Sequence, residues 1–338
     1  MLPRERDCAK DLFKKPDNLF DILNPLGRNG ERRMLSPSSL NAYIECPLKF
    51  YYQKVKKLRI PAPAPDEIKA NSFGNIFHTS AELLYKEICG YNKEKNKYNT
   101  PIISKSDLES WLSPSKEIKL RQFIFQAYKK EGLLPNALVT EIVLTYLHNL
   151  LKFDSKFEFL KILTLEEPHG TKLEVMVNGE KREFAVGGFV DRLDIATLPK
   201  ENPTVRIVDY KTGSKKQIAK DVEDLFNTEG KAHPGYLFQA LLYALSVKEK
   251  ITEVDQYSAA LFYPHFSTQE DYDPRTIIGE GNDKNIQDQV FKDFKENLKH
   301  LIEDLLDASV PFIATPSKDS CKYCDFYRLC GQSIKENI

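Results

Sequence analysis

The chain has 338 residues, 41% of them hydrophobic and 11% aromatic, which predicts one large domain or two ordinary ones with a sizeable core. Its 49 Lys and Arg residues balance 49 Asp and Glu residues, so net charge gives no argument for nucleic-acid binding, although local basic patches could still contact phosphates. No apolar run approaches the roughly 18 residues that a membrane span needs. The opening MLPRERDCAKDLFKK lacks the apolar segment of a secretory signal, so a cytoplasmic location is expected.

The first part of the chain is expected to form helices after a short irregular arm. Residues 1–33 are polar and broken by proline and glycine, which predicts a loosely ordered arm. In SPSSLNAYIECPLKFYYQKV, Ser36 is a candidate N-cap, Pro37 occupies the first helical position, and Pro47 divides the segment into two short helices. Further helical patterns run from Asn71 or Ser72 to Ile88 and over residues 106–131 and 135–154. Residues 34–155 are therefore expected to be mainly helical.

The hydrophobic pattern changes to a period of two after residue 155. ILTLEEP, KLEVMV, EFAVGGFVDRLDI and TVRIVDYKTG predict four strands. Patterns for two helices, a strand and a long amphipathic helix follow at 217–227, 234–249, 256–263 and up to about 308. We expect an α/β core over residues 156–264 and a helix with a cysteine-rich tail over 265–331. The order of elements predicts one α/β domain over residues 34–331, with a central mixed β-sheet flanked by helices.

The stretch IVDYKTGS ends a strand with an acid and a lysine two residues apart. If GFVDRLDI and TVRIVDYK are antiparallel neighbours about a turn at Lys200, paired positions sum to 400, and Asp191 faces Asp209 with Cβ atoms about 4.5–5.5 Å apart. Two carboxylates so close must share a cation or raise each other's pKa, and their oxygens suit Mg²⁺ or Mn²⁺. Strand alternation places Lys211 on the face of Asp209 and Tyr210 on the opposite face, in the core.

Lys211 has two interpretations on spacing alone. As a site residue it could orient or deprotonate an attacking water, or stabilise charge on a pentavalent phosphorus. The structural alternative is an Asp209–Lys211 ion pair at a strand end, with Asp191 an ordinary surface acid. Spacing alone leaves both interpretations open.

Five ordered sequence motifs resemble those of PD-(D/E)XK nucleases, of the kind found in AddB/RecB-type recombination helicase–nucleases. GFVDRLD and IVDYKTG resemble motifs II and III, FGNIFHTSAELL the upstream histidine motif, and FQALLYAL the downstream Gln-x-x-x-Tyr motif. LSPSSLNAYIECPLKFYY resembles the segment that opens the AddB-type nuclease domain. The resemblance covers residues from about 35 to 331. It implies a restriction-endonuclease-like core and a metal-dependent DNA nuclease.

The resemblance also implies roles for individual residues. Asp191 and Asp209 would bind Mg²⁺ or Mn²⁺, and Lys211 would serve the attacking water. His78 would be a further metal ligand or an orienting residue of the active site. Without the resemblance, His78 on a largely apolar helix is better explained as a core histidine.

Two more residues are candidates for the same site, and Glu166 is a second-tier candidate. Gln239 and Tyr243 lie one helical turn apart on one face and would border the site, contacting DNA or the catalytic lysine. Alternatively, Tyr243 is packed in the core with Gln239 at its edge. Glu166, in ILTLEEP, resembles an acid that precedes motif II in relatives.

The cysteines form a second candidate metal site. Cys321, Cys324 and Cys330 follow the pattern C-x₂-C-x₅-C, and Cys46 lies almost a full chain length upstream. Four thiolates can hold a [4Fe–4S] cluster or a zinc ion, and free thiols are the third alternative. One cysteine before the fold and three after it resembles the AddB-type iron–sulfur nuclease domains, which implies a [4Fe–4S] cluster that ties the chain's ends together.

The sequence also indicates how a substrate would be held. Two lysine-rich patches without acids are candidates for backbone contacts with nucleic acid, namely Lys54, Lys56 and Lys57, and Lys215 and Lys216. No G-x-x-x-x-G-K-[ST] sequence occurs, so a P-loop helicase is excluded. The resemblance implies an exonuclease that acts on single-stranded DNA ends in recombination or repair. A helicase subunit, or the helicase part of a longer chain, is the implied partner. The alternatives are a module that binds DNA ends or a helicase without cutting, and a structural iron–sulfur scaffold.

Overall fold

The fold is described from a computed structural model of the chain. The described residues are 13–58, 70–92, 97–99, 101–213, 217–227, 233–278, 283–315, 318–322 and 324–330. Helices α1 to α10 are Leu19–Leu23, Pro37–Glu45, Pro47–Phe50, Ala70–Ile88, Lys105–Ser110, Pro114–Glu131, Ala137–Asp154, Gly235–Lys248, Asp288–Leu306 and Lys318–Lys322. A π-helical turn, Tyr51–Val55, extends α3, and a 3₁₀ turn spans Glu223–Leu225. Strands β1 to β6 are Tyr91–Asn92, Lys97–Tyr98, Phe159–Val177, Glu180–Thr197, Thr204–Tyr210 and Gln256–Phe262.

Strands β3 to β6 form the central mixed sheet, in the order β3-β4-β5-β6. The first two pairings are antiparallel and β5 runs parallel to β6. Helices lie on both faces, so the predicted α/β class and flanked mixed sheet are confirmed. Paired positions of β4 and β5 sum to 400, from Arg192–Val208 to Ala196–Thr204, as the sequence predicted. Lys200 adopts φ 69° in the connecting turn, and the same register leads on to Asp191 and Asp209.

Each face of the sheet carries its own hydrophobic core. On one face α2, α8 and α9 pack together, and the rings of Phe238 and Phe294 are fully buried with centroids 5.4 Å apart. On the other face α4, α6 and α7 surround Phe77 and Leu147, which are also fully buried. Burial of this apolar surface fixes α4 and α8 against opposite faces of the strands that carry the candidate site. No helix in the described parts of the chain is both long enough and apolar enough to cross a membrane.

Strand β3 corrects the prediction of two strands in this region. ILTLEEP and KLEVMV belong to a single strand, paired with β4 from Phe159–Thr197 to Val177–Glu180. Pro168 is tolerated because β3 lies at the edge of this sheet, where its missing N–H interrupts no ladder on the outer side. The pairing shifts by one residue between Ile162 and Thr164, which bends the strand before it reaches the candidate site.

Two predicted helices also differ from the structure. The pattern over 106–131 divides into α5 and α6, because Pro114 starts a new helix behind a turn. Over the described part of 217–227, only the 3₁₀ turn forms. Asp221 accepts from the backbone N–H of Asp224, and Asp224 from that of Lys220, at 2.9 Å each. These side-chain bonds compete with the helical ladder for backbone donors.

The described part of the expected arm is packed onto the sheet rather than loosely ordered. Leu19, Phe20 and Leu23 of α1 are buried in the core. Fully buried Asn24 donates to the carbonyl of Ala185 at 2.9 Å and accepts from its N–H at 3.0 Å. The arm therefore covers an edge of β4 whose backbone groups would otherwise lack partners. Residues 1–12 lie outside the described residues.

Candidate active site

The candidate site forms where β4 and β5 separate beyond the pair Arg192–Val208. Asp191 on β4 and Asp209 on β5 are both buried, with 8% and 3% of their surface exposed. A carboxylate oxygen of Asp191 accepts from the backbone N–H of Tyr210 at 2.7 Å. Tyr210 itself is buried in the α4-side core, as predicted from strand alternation. The side chain of Asp191 thus takes the place of a ladder bond and ties β4 to β5.

His78 reaches the same point from α4. Its Nε2 lies 2.9 Å from the carbonyl oxygen of Tyr210. Its Nδ1 lies 3.3 Å from Asp191 and 3.8 Å from Glu166. When the Nε2 proton is donated to the carbonyl, the lone pair of Nδ1 points to the side on which the two carboxylates lie. His78 therefore joins the site rather than forming an isolated part of the core.

Glu166 completes the group from β3. The pairs Leu165–Arg192 and Glu167–Val190 flank it, so Glu166 lies across from Asp191. Glu166 has φ 50°, an uncommon conformation for a residue with a side chain, and one that clusters at functional sites. Sequence reasoning held it only as a second candidate, because a positive φ inside a strand leaves no signal in the residue pattern.

Lys211, Gln239 and Tyr243 surround the remaining carboxylate. The ammonium of Lys211 contacts Asp209 directly. The Gln239 side-chain amide on α8 donates to Asp209 at 3.3 Å and lies 3.5 Å from the Tyr243 hydroxyl. All six predicted site residues are thus in one place, with Glu166 beside them.

Tyr236 is a neighbour of the site that the sequence reasoning missed. The Lys211 ammonium lies 4.2 Å from the centroid of the Tyr236 ring, within cation–π range. Tyr236 precedes Gln239 by three residues on α8, so it shares the face of the Gln-x-x-x-Tyr motif. Extending that motif backwards by one helical turn would have found it.

The crowding of acids perturbs the site's proton affinities. Burial opposes a charge on His78, but the surrounding carboxylates, led by Asp191, outweigh it and raise the pKa of the ring to about 9. Burial and the neighbouring Asp191 raise the pKa of Glu166 to about 7. Burial would raise the pKa of Asp191 as well, but His78 and the Tyr210 N–H hold it below its usual value.

The Asp209–Lys211 pair shows the same conflict between burial and charge. Burial raises the pKa of Asp209 above its usual value, with Asp191 adding to the shift and Lys211 opposing it. Burial would lower the pKa of Lys211, but Asp209 outweighs it and keeps that pKa above its usual value. At neutral pH the lysine therefore carries its positive charge.

The donor set fits a divalent cation. Nδ1 of His78 and carboxylate oxygens of Glu166 and Asp191 lie within 4.8 Å of one another, so one ion could contact all three. Such ions favour carboxylate oxygens, and a ligating histidine usually donates its other N–H to a carbonyl or carboxylate, as His78 can to Tyr210. Oδ2 of Asp209 is buried and, among the described residues, accepts no hydrogen bond of ordinary geometry although it touches Lys211. The Lys211 ammonium therefore compensates the charge of this oxygen, and a cation would share the oxygen with Lys211.

Comparison with known families agrees with this geometry. A family model of the PD-(D/E)XK nuclease superfamily matches residues 34–331. The chain belongs to this superfamily. Its nucleases use divalent metals and act on DNA, which accounts for the cluster of acids beside a lysine. No curated protein sequence matches the chain.

A fully buried network of ion pairs lies next to the nuclease site. Arg192 donates to Asp154 at 2.5 and 3.0 Å and to Asp194 at 2.7 Å. Arg206 on β5 binds the same Asp194 with two bonds of 2.8 Å. Tyr85 of α4 donates to Asp154. The network joins α4, α7, β4 and β5 in the layer next to Asp191, so it fixes the relative position of the elements that supply the ligands.

The four predicted cluster cysteines line one small cavity of the nuclease, between the start of α3 and the C-terminal tail. Sγ of Cys46 accepts from the backbone N–H groups of Lys49 and Thr315 at 3.4 Å each. Burial and the charges of the other three cysteines raise the pKa of Cys321. The thiols are not a tight ligand group, because no three sulfur atoms of the described cysteines lie within 4.8 Å of one another. Cys89, in contrast, is buried in the core.

The predicted basic patches are described only in part. Lys54 lies on the π-helical turn that contacts α1 and α3, and Lys56 and Lys57 are exposed just beyond it. Lys56 lies over the ring of Tyr51, 5.5 Å from its centroid. The second patch, Lys215 and Lys216, lies outside the described residues.

Proposed function

We propose that the chain is a Mg²⁺- or Mn²⁺-dependent deoxyribonuclease that acts as an exonuclease on single-stranded ends in recombination or repair. The observation that carries the proposal is the convergence of His78, Glu166 and Asp191 with the Asp209–Lys211 pair where β4 and β5 separate. The group combines oxygen and imidazole donors with a buried ammonium, which suits hydrolysis of a phosphodiester.

The proposed roles follow from the donor atoms. Asp191, Asp209 and His78 would hold the cation, with Glu166 as a further ligand. A bound Mg²⁺ or Mn²⁺ supplies Lewis-acid polarisation of the scissile phosphate. Lys211 stays charged beside Asp209, so it would orient the attacking water and stabilise the negative charge that develops on the phosphate oxygens.

Gln239 and Tyr243 would act through their neighbours. The Gln239 amide donates to one oxygen of Asp209 and so would fix the direction of the other, which contacts Lys211. Tyr243 lies against the same amide and keeps it from rotating away. Both would position the carboxylate rather than react with the substrate.

The choice of substrate and pathway rests on the motif order. The five motifs follow one another as in AddB/RecB-type nucleases. This resemblance of the chain to those nucleases supports DNA ends as the substrate and a helicase as the partner. The sequence has no P-loop, so the helicase activity would be supplied by another polypeptide or another part of a longer chain. Lys54, Lys56 and Lys57 are proposed contacts to the DNA backbone, as are Lys215 and Lys216. The cytoplasmic location stays a prediction.

We also propose that Cys46, Cys321, Cys324 and Cys330 hold a [4Fe–4S] cluster. The proposal is supported by the order of the cysteines, one before the fold and three after it, which resembles that of AddB-type iron–sulfur nuclease domains. The two N–H donors to Cys46 would stabilise a thiolate at that position.

Cleavage of defined ends tests the proposed activity. Linear single-stranded DNA, labelled at either end, and circular single-stranded DNA would be incubated with Mg²⁺ or Mn²⁺ and with EDTA. We expect metal-dependent release of short products with 5′-phosphates from the linear DNA, while the circles stay intact. Cleavage of the circular DNA would show that the protein is an endonuclease and not an exonuclease. Bound but uncut DNA, from protein that retains its cysteine-held iron, would contradict the proposal and favour an end-binding module.

A further inference from the structure

A groove of about 960 Å³ lies beside the candidate active site, between residues 27–36 and the β3–β4 ribbon. We call it the arm groove. Its wall from the arm is a short hairpin, closed by the bridge Leu26–Arg32 and by the bond from the Arg33 N–H to the carbonyl of Pro25. The basic lining residues are Arg28, Arg32, Arg33, Lys172 and Lys250, and the one acid among the lining residues is Glu31.

Three of these cations have no acidic partner among the described residues. Arg32 is bound to Asp21 and to a carbonyl, and Lys172 pairs with Glu183, so both charges are already compensated. The remaining cations are exposed and make no ion pair within the described parts of the chain; they are Arg28, Arg33 and Lys250. The arm groove is therefore suited to an anionic occupant with several charges.

Phe189 gives the groove an aromatic surface. Its side chain is 62% exposed, although it sits in the middle of β4 between buried Val186 and Val190. Phe189 precedes Asp191 by two residues on β4, which is about 6.8 Å along the strand. A base stacked on this ring would lie about one nucleotide from the catalytic carboxylates.

The floor of the groove is bare backbone that leads towards the site. Gly187 has φ 153°, and a Cβ there would lie 2.3 Å from the carbonyl oxygen of His169. A Cβ on Gly188 would lie 2.7 Å from the hydroxyl of Tyr243, the residue that borders Gln239. Glycine at these two positions therefore allows β3 and Tyr243 to approach β4 closely at the point where the groove borders the site.

We propose that the arm groove holds a single-stranded nucleic acid, with one base stacked on Phe189 and its phosphates beside Arg28, Arg33 and Lys250. Aromatic faces accept any base, and cations follow the backbone without reading sequence. A paired strand fits poorly, because bases inside a duplex are already stacked on both faces. The inference rests on the proposed nuclease function and adds to it the path by which the strand reaches the site.

Binding in EDTA, which prevents cleavage, tests the stacking. Fluorescence anisotropy would follow a labelled oligothymidylate with wild-type protein, Phe189→Ala and Phe189→Trp. We expect about tenfold weaker binding by Phe189→Ala and near wild-type binding by Phe189→Trp, because the larger ring still stacks. Phe125→Ala is the matched control, since Phe125 is 46% exposed on α6, far from the groove's lining. Equal affinities for wild type and Phe189→Ala would overturn the proposal.

The salt dependence of the same binding tests the cations. Each phosphate contact with a single strand contributes about 0.7 to the slope of log K against log salt, so Arg28→Ala/Arg33→Ala should lower its magnitude by about 1.4. Lys129→Ala/Lys152→Ala removes two exposed charges from α6 and α7 as a control and should leave the slope unchanged. An unchanged slope in the arginine variant would overturn the proposal.

Further probes separate other occupants from the proposed one. Oligouridylate tests whether the groove binds RNA as well as DNA. Replacing Phe189 should weaken the binding of blunt duplex DNA less than the binding of oligothymidylate. Polyglutamate that binds the groove as tightly as oligothymidylate, independently of Phe189, would overturn the proposal in favour of an acidic protein. A wild-type protein that binds through Phe189 but cleaves nothing would reject the nuclease function alone. Cleavage with Phe189-independent binding would reject only the arm groove.

Discussion

Asp209 is held between a lysine that attracts it and a carboxylate that repels it. Burial raises the pKa of Asp209, and only the contact with Lys211 opposes that shift strongly. His78 is in the complementary position, because burial opposes its charge while the acids around it favour the protonated ring. In the absence of a cation, a proton on His78 compensates part of the negative charge. A divalent ion can replace that proton.

The pH dependence of metal binding follows from these pKa values. His78, with a pKa of about 9, keeps its proton below pH 9, and Glu166 titrates at about 7. A cation must displace these protons, so its apparent affinity should rise by up to about tenfold per pH unit between pH 7 and 9, and more steeply below pH 7. Titration calorimetry with Mn²⁺ in buffers of different ionisation enthalpy measures both the affinity and the protons released.

His78→Gln is the matched variant for that titration. It removes the proton with a pKa of about 9, so its Mn²⁺ affinity should be weaker and nearly independent of pH between 8 and 9. Wild-type affinity that stays constant from pH 6 to 9, with no proton release, would show that neither His78 nor Glu166 gives up a proton to the ion.

At the scale of elements, β4 and β5 hold the site because their relative register is fixed. The sequence predicted this register, since the turn at Lys200 sets which residues pair. It indicated Glu166 of β3 only through the resemblance, because Glu166 reaches the site through a bent edge strand and a positive φ. Neither feature depends on hydrophobic period, which is what the sequence displays.

Because the ion network is buried, we expect the loss of one of its acids to lower the free energy of unfolding strongly. Asp194→Ala leaves Arg192 and Arg206 without the carboxylate that binds both, inside the core. Breaking such a buried pair costs about 3–5 kcal/mol. Urea denaturation would measure the loss in unfolding free energy. Glu174→Ala, which removes an exposed pair with Lys181 on the β3–β4 hairpin, is the control and should change it little.

The close contact between Gly188 and Tyr243 predicts that β4 and α8 are coupled. In Gly188→Ala the new methyl group must displace the Tyr243 hydroxyl, which disturbs Gln239 and through it Asp209. We expect cleavage to slow by about tenfold while the fold is kept. A double-mutant cycle with Tyr243→Phe checks the cause. If Gly188→Ala is as harmful in the Tyr243→Phe background, the hydroxyl contact is not the reason.

For the whole molecule, contacts distant in sequence join the nuclease fold. The sequence indicated the superfamily through its motifs, and it placed Cys46 and the tail cysteines at opposite ends of the chain. It did not indicate that residues 19–24 pack onto β4, because a short polar segment broken by proline and glycine resembles a linker. The partners of Asn24 are backbone groups of β4, which no residue pattern identifies.

The proposed iron–sulfur cluster would hold the two ends of the chain together. Cys46→Ser, prepared without oxygen, should lose iron and sulfide and unfold at a lower temperature, because a very long loop is no longer closed. Cys89→Ala is the control, since Cys89 lies in the core and should not affect iron content. Anaerobic wild-type protein that contains zinc, or neither iron nor sulfide, would contradict the cluster.

The rate of single-stranded DNA cleavage by Lys211→Ala, at saturating Mg²⁺ or Mn²⁺, tests whether the lysine at the end of β5 serves the reaction. We expect a rate at least about 10²-fold below that of wild type, because the charge that stabilises the phosphate oxygens is lost. Lys220→Ala, which removes an exposed lysine further along the same connection, should cleave like wild type. Cleavage by Lys211→Ala at the wild-type rate would show that the end of β5 does not carry the chemistry.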